Sequence, residues 1–319
     1  MKAGRLALST AALAVAAAAA VAPNAGASAA VSSRALTANA GGHAVHFVLP
    51  GRAKAANGAA AASNNLAYSG GPVEAAGSTN YAIFWEPTLT ASVNSVTPTY
   101  NSLITRFLQD IGGSGLYGVA TQYYQTTGGT TQNISNSSTF GGSYVDTSIY
   151  PGPVLTDAEI QSEVTKAMQA NGWAGGVGHE FFVFTAKNEI SCAGAECSNA
   201  VFCAYHSSFT SGSQEVLYAN QPYTGTAPVG CTTPTSPNGD LDADSTINVV
   251  SHELMETVTD PSVGDSNYAW IDSSGSEIGD KCNFTFGSTD GAGADLYANG
   301  HPYIVQQEWS NRAGGCSMS

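Results

Sequence analysis

The chain has 319 residues and a formal net charge of −14, from 24 acidic and 10 basic side chains, with only 11% of its residues charged. An acidic surface of this kind repels nucleic-acid phosphates and anionic lipid, so neither is expected as a partner. Abundant Gly, Ser, Thr and Asn, with few charges, suits an exported protein built from strands and loops.

Lys2 and Arg5 precede an alanine-rich apolar run over residues 6–22, and Ala27-Ser28-Ala29 supplies the small side chains of a cleavage site. Residues 1–29 read as a removable signal peptide, so the protein is expected to be secreted and extracellular, without membrane insertion. Residues 30–66 are mostly Ala, Gly, Ser and Asn without helical or strand period. They are expected to be a flexible leader, with His43 and His46 incidental. Residues 67–319 then make one domain with room for a substantial core.

The first strong strand is Y-A-I-F-W at residues 81–85, stopped by Pro87. A helix follows, with Leu103, Ile104, Phe107, Leu108 and Ile111 on one face and Gly112-Gly113 at its end. Residues 128–142 are polar and suit a loop or an edge strand. Thr156 and Glu159 form a capping box for a second helix, whose Ile160, Val164 and Met168 share a face and whose end is Gly172. F-F-V-F at 181–184 is a buried strand, and residues 215–218 are another. Two hairpins are expected near the C-terminus. One runs from Trp270-Ile271 back through residues 277–282, and the other turns at Asn299-Gly300, a strong hairpin signal.

All six cysteines lie in the C-terminal half: Cys192, Cys197, Cys203, Cys231, Cys282 and Cys316. An even number in an exported chain implies disulfides, although sequence leaves their connectivity open. The short Cys192–Cys197 loop is the first pair expected. Cys203–Cys231 and Cys282–Cys316 then follow by elimination.

Between them lies the segment that carries chemistry, I-N-V-V-S-H-E-L-M-E-T-V-T-D-P at residues 247–261. On a helix, Ile247, Val250, Leu254 and Val258 form one stripe, and His252 and Glu256 fall opposite it. Asp244 suits the N-cap, with Asp240 and Asp242 near the positive end. Side chains at i and i+4 stand one above the other and can grip a single metal ion, while Glu253 points to a third sector within reach of a metal-bound water. The pattern is H-E-x-x-E, the zincin H-E-x-x-H with a carboxylate for the second histidine. His252 and Glu256 are therefore candidate zinc ligands and Glu253 a candidate general base. Asp280 and Glu277, in E-I-G-D-K-C, are candidates for the remaining ligand. In a strand, Asp280 would share a side with Ile278 and Cys282.

These segments resemble the Exordium, or phosphate-induced protein, family of secreted plant proteins and their bacterial relatives. Asn238-Gly239-Asp240, Asp244, Ile247-Asn248, His252-Glu253-Leu254 and Glu256 match its signature position by position. Glu277-Ile278-Gly279-Asp280 with Cys282, and Asn299-Gly300 through Tyr303, Val305-Gln306 and Trp309, are similar to its later blocks. The resemblance spans about residues 67–316. It implies an extracellular protein linked to the cell wall or matrix, and it supports Glu277 and Asp280 acting with the helix.

The expected fold is α+β, a mixed sheet with flanking helices and C-terminal hairpins, zincin-like around the H-E-x-x-E helix. The expected function is a secreted zinc-dependent hydrolase, most plausibly peptidase-like, acting on an extracellular protein or peptide. The alternative is a non-catalytic extracellular or cell-wall-associated protein with a structural metal.

Overall fold

The computed structural model describes residues 1, 36–51, 65–88, 95–227 and 230–319. The signal peptide expected over residues 1–29 lies, Met1 apart, outside the described residues. Seven strands form the main sheet: β1 (Leu36–Ala40), β2 (His43–Val48), β3 (Ser78–Trp85), β4 (Ser138–Asp146), β5 (His179–Thr185), β6 (Ala204–Ser211) and β7 (Gln214–Gln221). Their order is β1-β2-β6-β7-β5-β3-β4. The four from β7 to β4 run parallel, and β6, β2 and β1 continue antiparallel. Among the described residues three long helices flank the sheet, α1 (Tyr100–Asp110), α2 (Asp157–Asn171) and α3 (Leu241–Thr259). The fold is α+β with a mixed sheet, flanking helices and C-terminal hairpins, as expected.

Strand alternation sends side chains to two cores. Tyr81, Ile83 and Trp85 join Phe181 and Val183 on one face, where α2 packs through Ile160, Val164, Ala167 and Met168. Ala82 and Phe84 join Phe182 and Phe184 on the other, against α1 and α3. Both cores are fully buried, and each large side chain so placed contributes roughly 1.5–3 kcal/mol. Trp85, Trp270 and Trp309 are packing residues, all buried.

Local signals explain the helix ends. Thr156 and Glu159 form their capping box, and Gly172 closes α2 at φ 69°. On α3 the cap is Asp240, which accepts from the Ala243 amide at 3.1 Å, rather than the expected Asp244. Asp244 is engaged one step back, accepting from the Asn238 amide and from Ser236 Oγ.

The leader expectation fails for residues 36–51. H-A-V-H-F-V folds as a strand because Val45, Phe47 and Val48 find apolar cover, and β2 pairs with β6 at Ala204↔Val48, Tyr205↔Phe47 and His206↔His46. Residues 52–64 of the leader lie outside the described residues. The hairpin expected from Trp270-Ile271 is also replaced. Those residues pair with Ala67–Tyr68, while Asp280–Cys282 is a 3₁₀ turn closed by the Glu277 amide on Asp280 Oδ2 at 3.1 Å.

The second hairpin is as expected: Leu296–Ala298 pairs with His301–Tyr303 through Asn299 and Gly300, both at positive φ. All three expected disulfides are present, and the described residues hold no free cysteine. Three disulfides fit an oxidising, extracellular setting. Among the described residues no helix is long and apolar enough to cross a membrane.

Candidate metal centre

The polar face of α3 is not open to solvent. From Ala243 to Thr259 every residue is buried, because β2, β6 and the residues after Ser276 cover the side opposite the apolar stripe. His252, Glu253 and Glu256 thus lie inside the protein. The 3₁₀ turn brings Glu277 and Asp280 against them, its Asp280 amide donating to Glu256 Oε1 at 3.0 Å. Gly279 makes this approach possible, since a Cβ there would stand 2.9 Å from the His252 ring.

Two further histidines enter from the sheet. His206 of β6 and His46 of β2 are register partners and face α3, with their rings 5.6 Å apart. His46 Nε2 is 2.7 Å from Asp280 Oδ2 and its Nδ1 is 3.1 Å from Glu277 Oε1. His206 Nε2 lies 3.4 Å from Glu277 Oε2 and 3.5 Å from Glu256 Oε2. Three trios place one donor atom from each member within 4.8 Å of the others: His46, His206 and Glu277; His46, Glu256 and Asp280; His206, Glu253 and Glu256. The structure therefore gathers Glu253, Glu256, Glu277 and Asp280 as expected, with His46 and His206 in the trios instead of His252.

His252 is held in another way. The Gln306 Oε1 atom accepts from the Phe284 amide at 3.1 Å, and the Gln306 amide nitrogen donates to the Gly279 carbonyl at 2.9 Å. That orientation makes Oε1 an acceptor, so His252 Nδ1, 3.1 Å away, must be the donor. Its Nε2 then faces Glu256 Oε1 at 2.9 Å, off the line of a hydrogen bond. Burial opposes charge on His252, but Glu256, Asp280 and Gln306 outweigh it and raise its pKa, so Nε2 is the partner of the Glu256 carboxylate.

His206 Nε2, Glu256 Oε2 and both carboxylate oxygens of Glu253 and Glu277 are buried without a hydrogen bond. Among the described residues no lysine or arginine pairs with these acids; the lysine pairs go to Asp146, Glu163 and Asp272. Burial, reinforced by Glu256 and Glu180, pushes the Glu253 carboxyl well above its ordinary range. Glu277 is pushed up by burial despite His46. Burial opposes charge on His46, but Glu277 and Asp280 outweigh it and raise its pKa well above the usual value. Burial opposes charge on Asp280, but His46, His252 and the Glu277 amide together outweigh it, and its pKa falls. Burial, aided by His46 and His252 and opposed by Glu256, drives His206 down to about 3, leaving it a neutral imidazole with a lone pair. Bare lone pairs crowded together in a dry interior repel one another unless protons or a cation stand between them.

The acids continue outward. Glu180 of β5 is buried and raised by burial and by Glu74. Glu74, also buried, reaches about 8 and lines a surface pocket of about 680 Å³ with Gln125, Thr127 and Gln132.

The region described as the phosphate-induced protein 1 conserved region matches residues 67–301. The chain belongs to the phosphate-induced protein family. It is also similar to Protein EXORDIUM-like 5 of Arabidopsis thaliana, 27% identical over 297 residues that cover 79% of this chain and 77% of the relative. No solved structure matches the chain. The family region holds His206, His252, Glu253, Glu256, Glu277 and Asp280. His46 lies before it. Sequence reading set His46 aside because it lies in an Ala- and Gly-rich leader, although the alternation in H-A-V-H-F-V is a short strand signal. His206, in C-A-Y-H beside a cysteine, is a further candidate ligand in the sequence, although a lone histidine there is more often structural.

Proposed function

We propose that this phosphate-induced family member is a secreted protein whose buried centre binds a divalent cation, and that in the closed arrangement described the cation is structural. The supporting observation is the convergence of imidazole nitrogens and carboxylate oxygens that approach one another at 2.9–3.5 Å without hydrogen-bond alignment. Mixed imidazole and carboxylate donors suit zinc better than calcium or magnesium, which favour oxygen alone. His206, Glu256, Glu277 and Asp280 would hold the ion, with His46 and His252 as neighbouring donors. It would tie β6, α3 and the 3₁₀ turn together, with His46 of the N-terminal hairpin beside them. Elemental analysis of the purified protein tests this: about one zinc per chain is expected, lost in a strong chelator together with thermal stability. A metal-free protein of unchanged stability would end the reading.

A second reading is the zinc-dependent hydrolase, peptidase-like and zincin-like around α3, acting on an extracellular protein or peptide. One observation favours it. Glu253 stands within the His206–Glu256 trio with both oxygens uncommitted, where a base for a metal-bound water would stand. Glu253→Gln should then keep the metal and the fold while abolishing turnover of a peptide library. Equal turnover by the variant and the parent would remove Glu253 from any chemistry.

A further inference from the structure

The centre is closed on one side by a segment that precedes the family region. Among the described residues the β1–β2 hairpin joins the rest of the sheet at the edge of β6, through three residue pairs, and β6 is otherwise paired to β7. Without residues 36–51, β6 would be the edge of a sheet already complete in β3 to β7. An edge strand of this kind offers unpaired backbone donors and acceptors to an extended peptide, with alternate side chains read by pockets on the two faces.

β2 uses that edge in this way. On one face its Phe47 ring stacks on Phe202 at 4.9 Å and meets the edge of Tyr205 at 5.8 Å, beside Val45. On the other, Val48 packs on the Cys203–Cys231 disulfide and Val249 of α3, and His46 enters the centre between Glu277 and Asp280. The chain leaves across the 3₁₀ turn, where the Leu49 carbonyl accepts from Asn283 Nδ2 at 2.9 Å and the Gly51 amide donates to Gly230 at 2.8 Å. Every centre residue except His46 lies inside the family region of residues 67–301. The connection to that region, residues 52–64, contains Arg52 and Lys54 among Ala, Gly, Ser and Asn.

We propose that the β6 edge beside the centre is a binding site for an extended peptide, one with an apolar residue followed or preceded by a metal-ligating one, and that residues 36–51 are the chain's own detachable occupant. In this arrangement His46 stoppers the centre. Displacing the hairpin uncovers Glu277, Asp280 and His206 to whatever strand takes its place. The inference extends the metal reading, since it explains why the centre is closed, but the strand exchange itself depends only on the β6 edge.

The test uses the full chain with a specific protease recognition sequence inserted between Ala56 and Ala61, cut after folding. A fluorescent peptide carrying the sequence of residues 36–51 is added in excess, and exchange is followed by anisotropy while near-UV circular dichroism reports the fold. The expected result is exchange into a domain that stays folded, with a His46→Ala peptide and a Phe47→Ala peptide each binding at least about tenfold more weakly. If the cut hairpin leaves only as the domain unfolds, it is an integral strand and the proposal is overturned. Equal binding by the His46→Ala peptide overturns the role given to His46. Zinc is measured separately on the exchanged protein, so a domain that exchanges peptides but holds no metal contradicts the metal reading while sustaining the peptide site.

Discussion

The same strands carry two buried polar clusters, one on each face, and they are built on different principles. On the α2 side, Asp157 has both oxygens fully engaged. Tyr205 and Tyr218 donate to Oδ1 at 2.8 and 2.5 Å, and Gln161 donates to Oδ2 at 2.8 Å with His43 Nε2 at 3.0 Å. On the α3 side, four carboxyls and three histidines meet, and much of their hydrogen-bonding capacity is unused. A buried polar group that is fully bonded stabilises and specifies a fold; one that is not bonded costs about 1–3 kcal/mol or more. The first cluster is complete in itself. The second needs either protons or a cation between its groups, and in the proposed metal reading it is the cation.

The largest expected effect comes from removing that cation. A strong chelator should lower the unfolding free energy by about 3 kcal/mol or more, read from denaturant or thermal melts at matched pH, and added zinc should restore it. A melt indifferent to chelator would break the contrast between the clusters. Next in size is Asp157→Ala on the other face. It strands two tyrosine hydroxyls and should cost about 3 kcal/mol while leaving metal content unchanged. Metal loss in that variant would show that the two faces are not independent.

Glu74→Gln probes the outermost acid with a definite sign. Burial raises this carboxyl from 4.5 to about 8, so the folded state holds a proton that the unfolded state releases. The parent therefore loses stability as pH rises from about 4.5 to about 8. The variant should be more stable than the parent by about 4 kcal/mol near pH 7.5, three pH units above 4.5 at about 1.4 kcal/mol each, with the difference vanishing below pH 4.5. Unfolding curves at the two pH values check it, and an equal difference at both would refute the buried neutral acid. The smallest effect is Tyr218→Phe, which removes one of four bonds to Asp157 and should cost about 1 kcal/mol without altering metal content.

Much of this was legible in the sequence where local rules dominate. The capping box at Thr156, the terminating Gly172, the alternating strands at 81–85 and 181–184, and the Asn299-Gly300 turn each depend on neighbours in the chain. The three disulfides were foreseen as well. H-E-x-x-E identified the helix, and Glu277 with Asp280 came to it as expected. Burial of the helix's second face did not follow from periodicity, because the cover comes from distant segments. His46 lies 206 positions before His252 in the numbering, in a stretch whose composition argues for disorder. Its place depends on the β6 edge, which no local pattern announces. The 3₁₀ turn at Asp280 was read as a strand because a short apolar alternation, Ile278 and Cys282, mimics one.

The central claim is that the α3-side centre, and not the α2-side cluster, is a cation site. Elemental analysis of the parent, of Glu256→Gln/Glu277→Gln and of Asp157→Asn, each purified without added metal or chelator, tests it most directly. The account requires about one divalent ion per chain in the parent and in Asp157→Asn, and close to none in the double variant. A parent without stoichiometric metal, together with a double variant more stable than the parent, would contradict it: the acids would then be neutral groups that their own protons suffice to bury.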